Sequence, residues 1–317
     1  MVKYSLMKII YRSWSLKGKK LPSSLMLYSF FGFTLGLSGQ AYPDSQFVHV
    51  ERSHYQDLYV EDGAQTRCVS FRDQDQQTCI YKERPDYLVW EYYRAVFAAF
   101  AFIENPQKVL VVGLGGGVIP SAIQKVYPTL NLDVVELDPA MARVAQQFFD
   151  FAETTTMKLH VADGRVFVKR KLLADERYDI IILDAFGKDW TPEHLLTQEF
   201  LIEVKGLMGE NAVFVAHSRA KNRLKDSLFT TYQSVFGEFY QIRTDGCCPL
   251  LFAMKQPYPA REEIFARLPE LIEPMQAVHV SIDDYVGELT QRVDWDITAR
   301  VLTDNYVPGH LLQSMSP

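Results

Sequence analysis

Residues 109–138 constrain the fold more than any other stretch of this 317-residue chain. They read VLVVGLGGGVIPSAIQKVYPTLNLDVVELD, in which an apolar strand leads into a glycine-rich turn, a helix and a second apolar strand that ends on an acid. Gly113, Gly115 and Gly117 let the backbone turn tightly and approach a ligand, while Glu136 is placed to accept hydrogen bonds from two ribose hydroxyls. This order predicts a Rossmann-like site for a nucleoside-bearing cofactor; a purely structural turn is the alternative.

Two further predicted strands also end on acids. Residues 157–161 are followed by Asp163 and Gly164, and the apolar run 178–183 stops at Asp184. Because parallel strands deliver their carboxyl ends to one edge of a sheet, the acids are expected to share a rim. Carboxylates repel the pyrophosphate of a dinucleotide but tolerate a cationic sulfonium, so the rim favours an S-adenosyl cofactor over NAD. Capping of the following helices is the alternative role for Asp163 and Asp184.

The alternation of strands and helices over residues 107–258 predicts an α/β fold with a mostly parallel seven-stranded sheet and helices on both faces. The predicted strands span residues 108–113, 132–136, 157–161, 178–183, 211–216, 238–244 and 250–255. A small antiparallel sheet is expected before this region, followed by an amphipathic helix from about Tyr87 to Phe102. The predicted organisation is a leader over 1–46, a β-hairpin domain with its helix over 47–106, a Rossmann-like catalytic domain over 107–260 and a helical extension with a tail over 261–317.

Several short motifs in order along the chain resemble a known family. They are His54-Tyr55-Gln56, the glycine turn, VVELD, VADG, LDAF followed by TPEHLLTQEF, and the late VLTDNYVP. Over about residues 50–310 the chain resembles the polyamine aminopropyltransferases, and more narrowly their bacterial spermidine-synthase-like relatives. The resemblance implies a small N-terminal β-domain before a Rossmann-like domain of the S-adenosylmethionine-dependent methyltransferase fold. It also implies transfer of an aminopropyl group from decarboxylated S-adenosylmethionine to a polyamine amine, and a homodimer as one state of assembly.

The same resemblance implies roles for individual residues. Gln56 and Gln77 would contact the nucleoside of the donor, and Glu136 would contact its ribose. Asp163 would bind the adenine amino group. Asp184 would serve the acceptor amine, which must lose a proton before or during its attack because a primary ammonium has a pKa of roughly 10. Asp184 is therefore the predicted catalytic residue.

The chain departs from the family pattern at three places. Relatives that make spermidine usually carry an Asp within the glycine turn, where this chain has Gly116. A Tyr-His-Glu run of the family is replaced by Tyr92-Tyr93-Arg94, and Gly187 stands where a second acid follows the catalytic one. Tyr92 and Tyr93 remain candidates for binding the acceptor, with core packing as the alternative, and Asp189 is a candidate substitute for the second acid.

Gly116 makes the identity of the donor an open question. Decarboxylated S-adenosylmethionine ends in a bare ammonium that a carboxylate would bind, whereas the carboxylate of intact S-adenosylmethionine would be repelled by one. The absence of an acid at this position thus favours the intact donor and methyl transfer to a small acceptor. The remaining acids favour aminopropyl transfer, and a non-catalytic relative that only binds a nucleoside is the third alternative.

The charge of the chain favours a cationic acceptor. Residues 1–41 hold six basic residues and no acid, which leaves 27 basic against 39 acidic residues in the remainder. An acidic body attracts polyamines and repels phosphate backbones, so nucleic acid is not an expected partner. Many proteins are acidic only for solubility, so this argument is secondary to the motifs.

The N-terminus admits three interpretations. After the basic stretch comes an apolar run over residues 25–37, followed by Gly39-Gln40-Ala41, which fits the cleavage rule of a secretory signal. The run is too short to span a bilayer. The alternatives are a membrane-peripheral leader and an over-extended start with the true initiator at Met7 or Met26. Because S-adenosyl donors are made in the cytoplasm, a cytoplasmic enzyme is expected if the leader is not an export signal.

The cysteine pattern leaves a disulfide open and predicts no metal site. Cys68 and Cys79 lie 11 residues apart across a predicted hairpin, near enough for a bridge if the register places them opposite. Cys247 and Cys248 are adjacent in an apolar stretch and are expected to pack. No spacing of Cys and His resembles a metal-binding motif, so neither a resident metal nor metal-assisted chemistry is expected.

Overall fold

The structure is a computed structural model, and it describes residues 46–71, 75–187, 191–244, 248–255 and 257–314. Residues 1–45 of the predicted leader, Asp189 and Cys247 lie outside the described residues, whereas Gln46 belongs to the first strand of the N-terminal sheet. No helix within the described ranges has the length and apolar character needed to cross a membrane.

The N-terminal region is an antiparallel sheet of four strands in sequential order. Its strands are β1 (Gln46–Glu51), β2 (Leu58–Asp62), β3 (Thr66–Phe71) and β4 (Asp75–Tyr81). Alternate residues such as Leu58, Val60 and Val69 are fully buried, as the period of two in a half-buried strand requires. Cys68 and Cys79 face each other across β3 and β4 and form a disulfide bond.

The segment that joins the two sheets is less regular than its sequence pattern predicts. The expected helix from Tyr87 to Phe102 is instead a helical turn, α1 (Glu91–Ala95), continued by a 3₁₀ helix over Val96–Phe102. The start of the prediction was wrong because the carbonyl oxygen of Leu88 accepts a hydrogen bond from the guanidinium of Arg94 instead of entering a helical ladder. The 3₁₀ segment is entirely buried and packs in the core.

The central sheet has seven strands, five of them parallel, and confirms the predicted fold class. The strand order is β10-β11-β9-β8-β5-β6-β7. The members are β5 (Lys108–Val112), β6 (Asn131–Glu136), β7 (Met157–Val161), β8 (Tyr178–Leu183), β9 (Met208–His217), β10 (Tyr240–Ile242) and β11 (Leu250–Met254). The last two strands are antiparallel to their neighbours. The chain proceeds from β5 through β6 to β7 at one edge of the sheet and then crosses to β8 on the other side of β5. The site is expected where this order reverses, beside β5 and β8.

Helices cover both faces of the sheet. They are α2 (Val118–Val126), α3 (Pro139–Phe148), α4 (Gly164–Leu173), α5 (Gln198–Leu207), α6 (Asn222–Phe236), α7 (Arg261–Ala266), α8 (Leu268–Met275), α9 (Ile282–Gly287) and α10 (Gly309–Ser314). Along β5, Val109 and Val111 pack in one core cluster, whereas Leu110 and Val112 pack in the cluster on the opposite face. The central strand is therefore buried on both sides, which explains its continuous apolar sequence.

Candidate active site

The carboxyl ends of β5, β6, β7 and β8 meet at one edge of the sheet and border a cleft of about 400 Å³. Glu136, Asp163 and Asp184 all line this cleft. The N-terminal region forms part of its wall through Gln56, in the loop between β1 and β2, and Gln77 on β4. A volume of this size is within the range of sites for small ligands.

The glycine turn approaches the neighbouring strand too closely for side chains. Gly113, Gly115 and Gly117 have φ values of +102°, +53° and +78°, a region that favours glycine. A β-carbon at Gly113 would lie 2.2 Å from the carbonyl oxygen of Asp184. Gly113 and Gly115 line the cleft, whereas Gly117 borders a smaller cavity behind the turn and packs against Phe151.

Glu136, the last residue of β6, connects this strand to the glycine turn. Its Oε2 accepts a hydrogen bond from the backbone N–H of Leu114 at 3.0 Å, and its Oε1 accepts one from the N–H of Asp138 at 2.9 Å. Burial of the carboxylate raises its pKa, although these two donors oppose the change. The two backbone donors therefore hold this side chain in one orientation at the lining of the cleft.

Asp163 caps a helix and also lines the cleft. Its Oδ1 accepts a hydrogen bond from the backbone N–H of Val166 and caps α4, while its Oδ2 lies 2.9 Å from Nε2 of His194. His194 also lines the cleft, and so does Gly164 at the start of α4. The second oxygen of Asp163, which the resemblance assigns to adenine, is thus in contact with an imidazole in the structure.

Asp184 is surrounded by aromatic side chains. The hydroxyl of Tyr92 donates to Oδ2 at 3.3 Å, and Nδ1 of His217 lies 2.9 Å from Oδ1. Burial, followed by the nearby Asp184 charge, raises the pKa of the Tyr92 phenol well above its usual value, so this hydroxyl stays protonated and acts as a donor. Tyr93 is also buried at the cleft wall, and its hydroxyl has no hydrogen-bond partner among the residues that the structure describes.

The charged residues that line the cleft are predominantly acidic. Its described lining contains four carboxylates and neither lysine nor arginine; the acids are Glu136, Asp138, Asp163 and Asp184. Such a lining favours cationic ligands and disfavours phosphates. No group of three or more His, Cys, Asp or Glu residues suited to a metal occurs in the described part of the chain.

Three contributors to the site were not among the site residues predicted from the sequence. Thr78 lines the cleft beside the glycine turn, His194 contacts Asp163, and His217 contacts Asp184. Each meets its partner across elements that are distant in sequence, so no spacing signals the contact. One signal was available for His217. It directly follows the predicted apolar strand 211–216, and in the structure this strand pairs with β8, which Asp184 follows.

Comparison with known proteins places these features in a family. The spermine/spermidine synthase domain matches residues 95–247. A polyamine aminopropyltransferase from Vibrio vulnificus is 36% identical over 275 residues, which cover 85% of this chain and 92% of that protein.

Solved structures agree on the fold. A probable spermidine synthase from Corynebacterium glutamicum superposes with a TM-score of 0.59 at 19% identity, over 80% of this chain and 98% of that one. Human methyltransferase-like protein 13, crystallised with SAH, has a TM-score of 0.52 at 29% identity, over 70% of this chain and 99% of that one. Together with the near full-length match to the Vibrio enzyme, these findings show that the chain is a transferase that belongs to the polyamine aminopropyltransferase family.

Proposed function

We propose that this protein transfers an aminopropyl group from decarboxylated S-adenosylmethionine to a primary amine of a polyamine. The observation that carries the proposal is the cleft in which Asp184 lies on the same rim as Glu136 and Asp163, with neither lysine nor arginine in the described lining. An adenosyl sulfonium and a polyamine are both cations, and this lining attracts both. Membership of the family supports the same reaction.

The residues divide into a donor side and an acceptor side. Glu136 would bind the ribose, Asp163 with Gly164 would bind the adenine, and Gln56 and Gln77 would contact the nucleoside. Gly113 and Gly115 let the backbone lie close to the ligand, whereas Gly117 supports the turn from behind.

On the acceptor side, Asp184 would bind the ammonium and take one of its protons. The nitrogen lone pair then forms a bond to the methylene carbon next to the sulfonium, the C–S bond breaks, and its electron pair stays on sulfur as a neutral thioether. Tyr92 and Tyr93 would contact the acceptor from α1, and Asp189 remains a proposed contact outside the described residues. Alignment of the nitrogen with the carbon and the fixed carboxylate supply the catalysis.

Methyl transfer from intact S-adenosylmethionine is a second candidate, favoured by one observation. The glycine turn carries no carboxylate at Gly116, so nothing there selects the bare ammonium of the decarboxylated donor. A solved methyltransferase-like protein that was crystallised with SAH is similar in structure to this chain.

Calorimetric titration with each donor, followed by mass spectrometry of a polyamine incubated with the enzyme and that donor, tests the proposal. Preference for the decarboxylated donor and an acceptor that gains an aminopropyl group are the expected results. Preference for the intact donor and a methylated acceptor would replace aminopropyl transfer by the second candidate. Absence of heat and of product with both donors would refute both and favour a non-catalytic relative.

A further inference from the structure

We infer that His217 is a positioning residue for Asp184, which it holds in the orientation that takes a proton from the acceptor amine. The inference rests on the proposed function for the identity of that amine. The pairing of the two side chains rests on geometry alone.

The fold brings His217 to Asp184 through the register of two parallel strands. Leu183 of β8 pairs with Ala216 of β9, so the residues that follow them, Asp184 and His217, lie side by side at the edge of the sheet. The distance from Nδ1 of His217 to Oδ1 of Asp184 is 2.9 Å. An ionised carboxylate only accepts hydrogen bonds, so Nδ1 carries the proton and donates it.

The imidazole is enclosed and does not border the cleft. His217 is 7% exposed, and it is absent from the residues that line the cleft. Its ring stacks on Tyr92 with 3.9 Å between ring centroids, and it lies nearly perpendicular to the ring of Phe186 with 5.0 Å between centroids. Because a ligand in the cleft reaches Asp184 and Tyr92 but not His217, the histidine acts through its neighbours.

The second ring nitrogen of His217 has an unfavourable environment. Nε2 of His217 is buried and has no hydrogen-bond partner in the described ranges. A buried polar atom without a partner is unfavourable, so an apolar side chain would fill this space at lower cost. The polar contact that the ring does make is to Asp184. Holding that carboxylate is therefore the physical benefit that offsets the unpaired nitrogen.

Fixing one oxygen of Asp184 has a consequence for the chemistry. With Oδ1 bonded to His217 and Oδ2 contacted by the Tyr92 hydroxyl, rotation of the carboxylate would break both contacts. A carboxylate offers about four acceptor positions, so positions on its two oxygens remain for the ammonium in the cleft. Proton transfer requires hydrogen-bond distance and alignment, and a displacement of about 1 Å lowers a rate by roughly 100-fold.

Two substitutions separate a hydrogen-bonding role from simple space filling. His217→Asn places an amide N–H where Nδ1 stands, so it retains the donor to Asp184. His217→Leu keeps a similar volume and removes the donor. We expect the leucine variant to lose roughly 100-fold in kcat with an unchanged KM for the donor, and the asparagine variant to recover most of that loss. His160→Asn is the matched control, since His160 pairs with Asp133 at 2.6 Å outside the cleft, and its kcat should stay at the wild-type value.

A measurement that needs no turnover completes the test. Nitrogen-15 NMR of the imidazole should show a protonated Nδ1 in His217, and this signal should change in Asp184→Asn but not in Asp179→Asn. A leucine variant with wild-type kcat, an asparagine variant as slow as leucine, or an imidazole protonated at Nε2 alone would each overturn the inference. Failure of both donors to react would refute the proposed function, while the NMR result would still decide whether His217 holds Asp184.

Discussion

The backbone N–H of Gly116 donates a hydrogen bond to Oγ1 of Thr78 at 3.0 Å, and the two residues are packed against each other. A β-carbon on residue 116 would lie 2.6 Å from Cγ2 of Thr78 and 2.9 Å from Cδ1 of Phe149. The position at which spermidine-making relatives usually carry an Asp is thus closed by two neighbouring side chains. The neighbouring side chains leave no room for an acid at position 116. Introducing an Asp there therefore requires more than one substitution.

We therefore expect Gly116→Asp alone to destabilise the protein, by about 1–3 kcal/mol as for other overpacked sites. Adding Thr78→Ser removes the methyl group at 2.6 Å and retains the hydroxyl, so the double variant should regain part of that stability. Thermal unfolding of the single and double variants measures this. Calorimetry should then show a gain in affinity for the decarboxylated donor, which brings an ammonium to the new carboxylate. A single variant as stable as the wild type would contradict the packing argument.

Asp184→Asn should lower turnover by roughly two to four powers of ten, because the amide cannot accept the proton of the attacking amine. Affinity for the donor should change little, since Asp184 is assigned to the acceptor. Steady-state kinetics and calorimetry measure the two quantities separately. Asp179→Asn is a matched control on the same strand, because Asp179 accepts backbone hydrogen bonds from Gln107 and Lys108 outside the cleft. Equal turnover in Asp184→Asn and the wild type would show that Asp184 has only a structural role.

Glu136→Gln should weaken donor binding by about 10- to 100-fold, because it removes a charge-assisted hydrogen bond to the ribose that contributes about this much to affinity. The substitution should also alter the pH dependence of stability. Burial raises the pKa of Glu136 in the folded protein, so its contribution is fully present below the unfolded pKa and is lost as pH rises through the folded pKa. Relative to the wild type, the free energy of unfolding of the variant should therefore increase as pH rises above about 4, the ordinary pKa of a glutamate in the unfolded chain.

Denaturant unfolding at several pH values without ligand measures this difference, and calorimetry measures the affinity. A constant difference across the range would show that the folded protein does not bind protons at Glu136 more tightly than the unfolded chain. Unchanged donor affinity would remove Glu136 from the ribose site.

The sequence predicted the fold and the edge of the sheet that holds the candidate site because both depend on local patterns. Continuous apolar runs gave the buried parallel strands, and the residue after each run was necessarily at the carboxyl edge, as for Asp184. The contacts between side chains could not be predicted in the same way. The pairing of His217 with Asp184 depends on a register between strands, and β9 continues one residue beyond the predicted 211–216 to include His217.

The start of α1 could not be predicted from the spacing of apolar residues either. The spacing of Tyr87, Trp90 and Phe97 fits a helix, yet a side-chain hydrogen bond from Arg94 to the Leu88 carbonyl replaces the backbone ladder there. Such competition between side chain and backbone depends on the three-dimensional position of a single guanidinium. The closed surroundings of Gly116 are a further example, since Thr78 and Phe149 come from elements far away in the chain.

A cluster at the opposite side of the sheet should govern acid stability. Asp133 on β6 accepts a hydrogen bond from the Tyr178 hydroxyl at 2.7 Å, and Nε2 of His160 lies 2.6 Å from its other oxygen. Burial opposes ionisation of Asp133, but the hydrogen bonds from Tyr178 and His160, together with the nearby charges of Lys171 and His160, lower its pKa on balance. A carboxylate with a lowered pKa stabilises the fold above its unfolded pKa, and this contribution is lost as pH falls through the folded value.

Asp133→Asn should therefore cost roughly 1–3 kcal/mol at neutral pH, the usual penalty for altering one partner of a buried hydrogen-bonded group. The free energy of unfolding of the variant should also fall less steeply than that of the wild type as pH decreases below about 4, the ordinary pKa of an aspartate in the unfolded chain. Denaturant unfolding at a series of pH values measures both effects. Asp175→Asn serves as control, because the side chain of Asp175 is 89% exposed and its loss should leave the curve nearly unchanged. Parallel curves for wild type and Asp133→Asn would show that the folded protein gains no stability from ionising Asp133, and the acid sensitivity of the fold would then have to arise elsewhere.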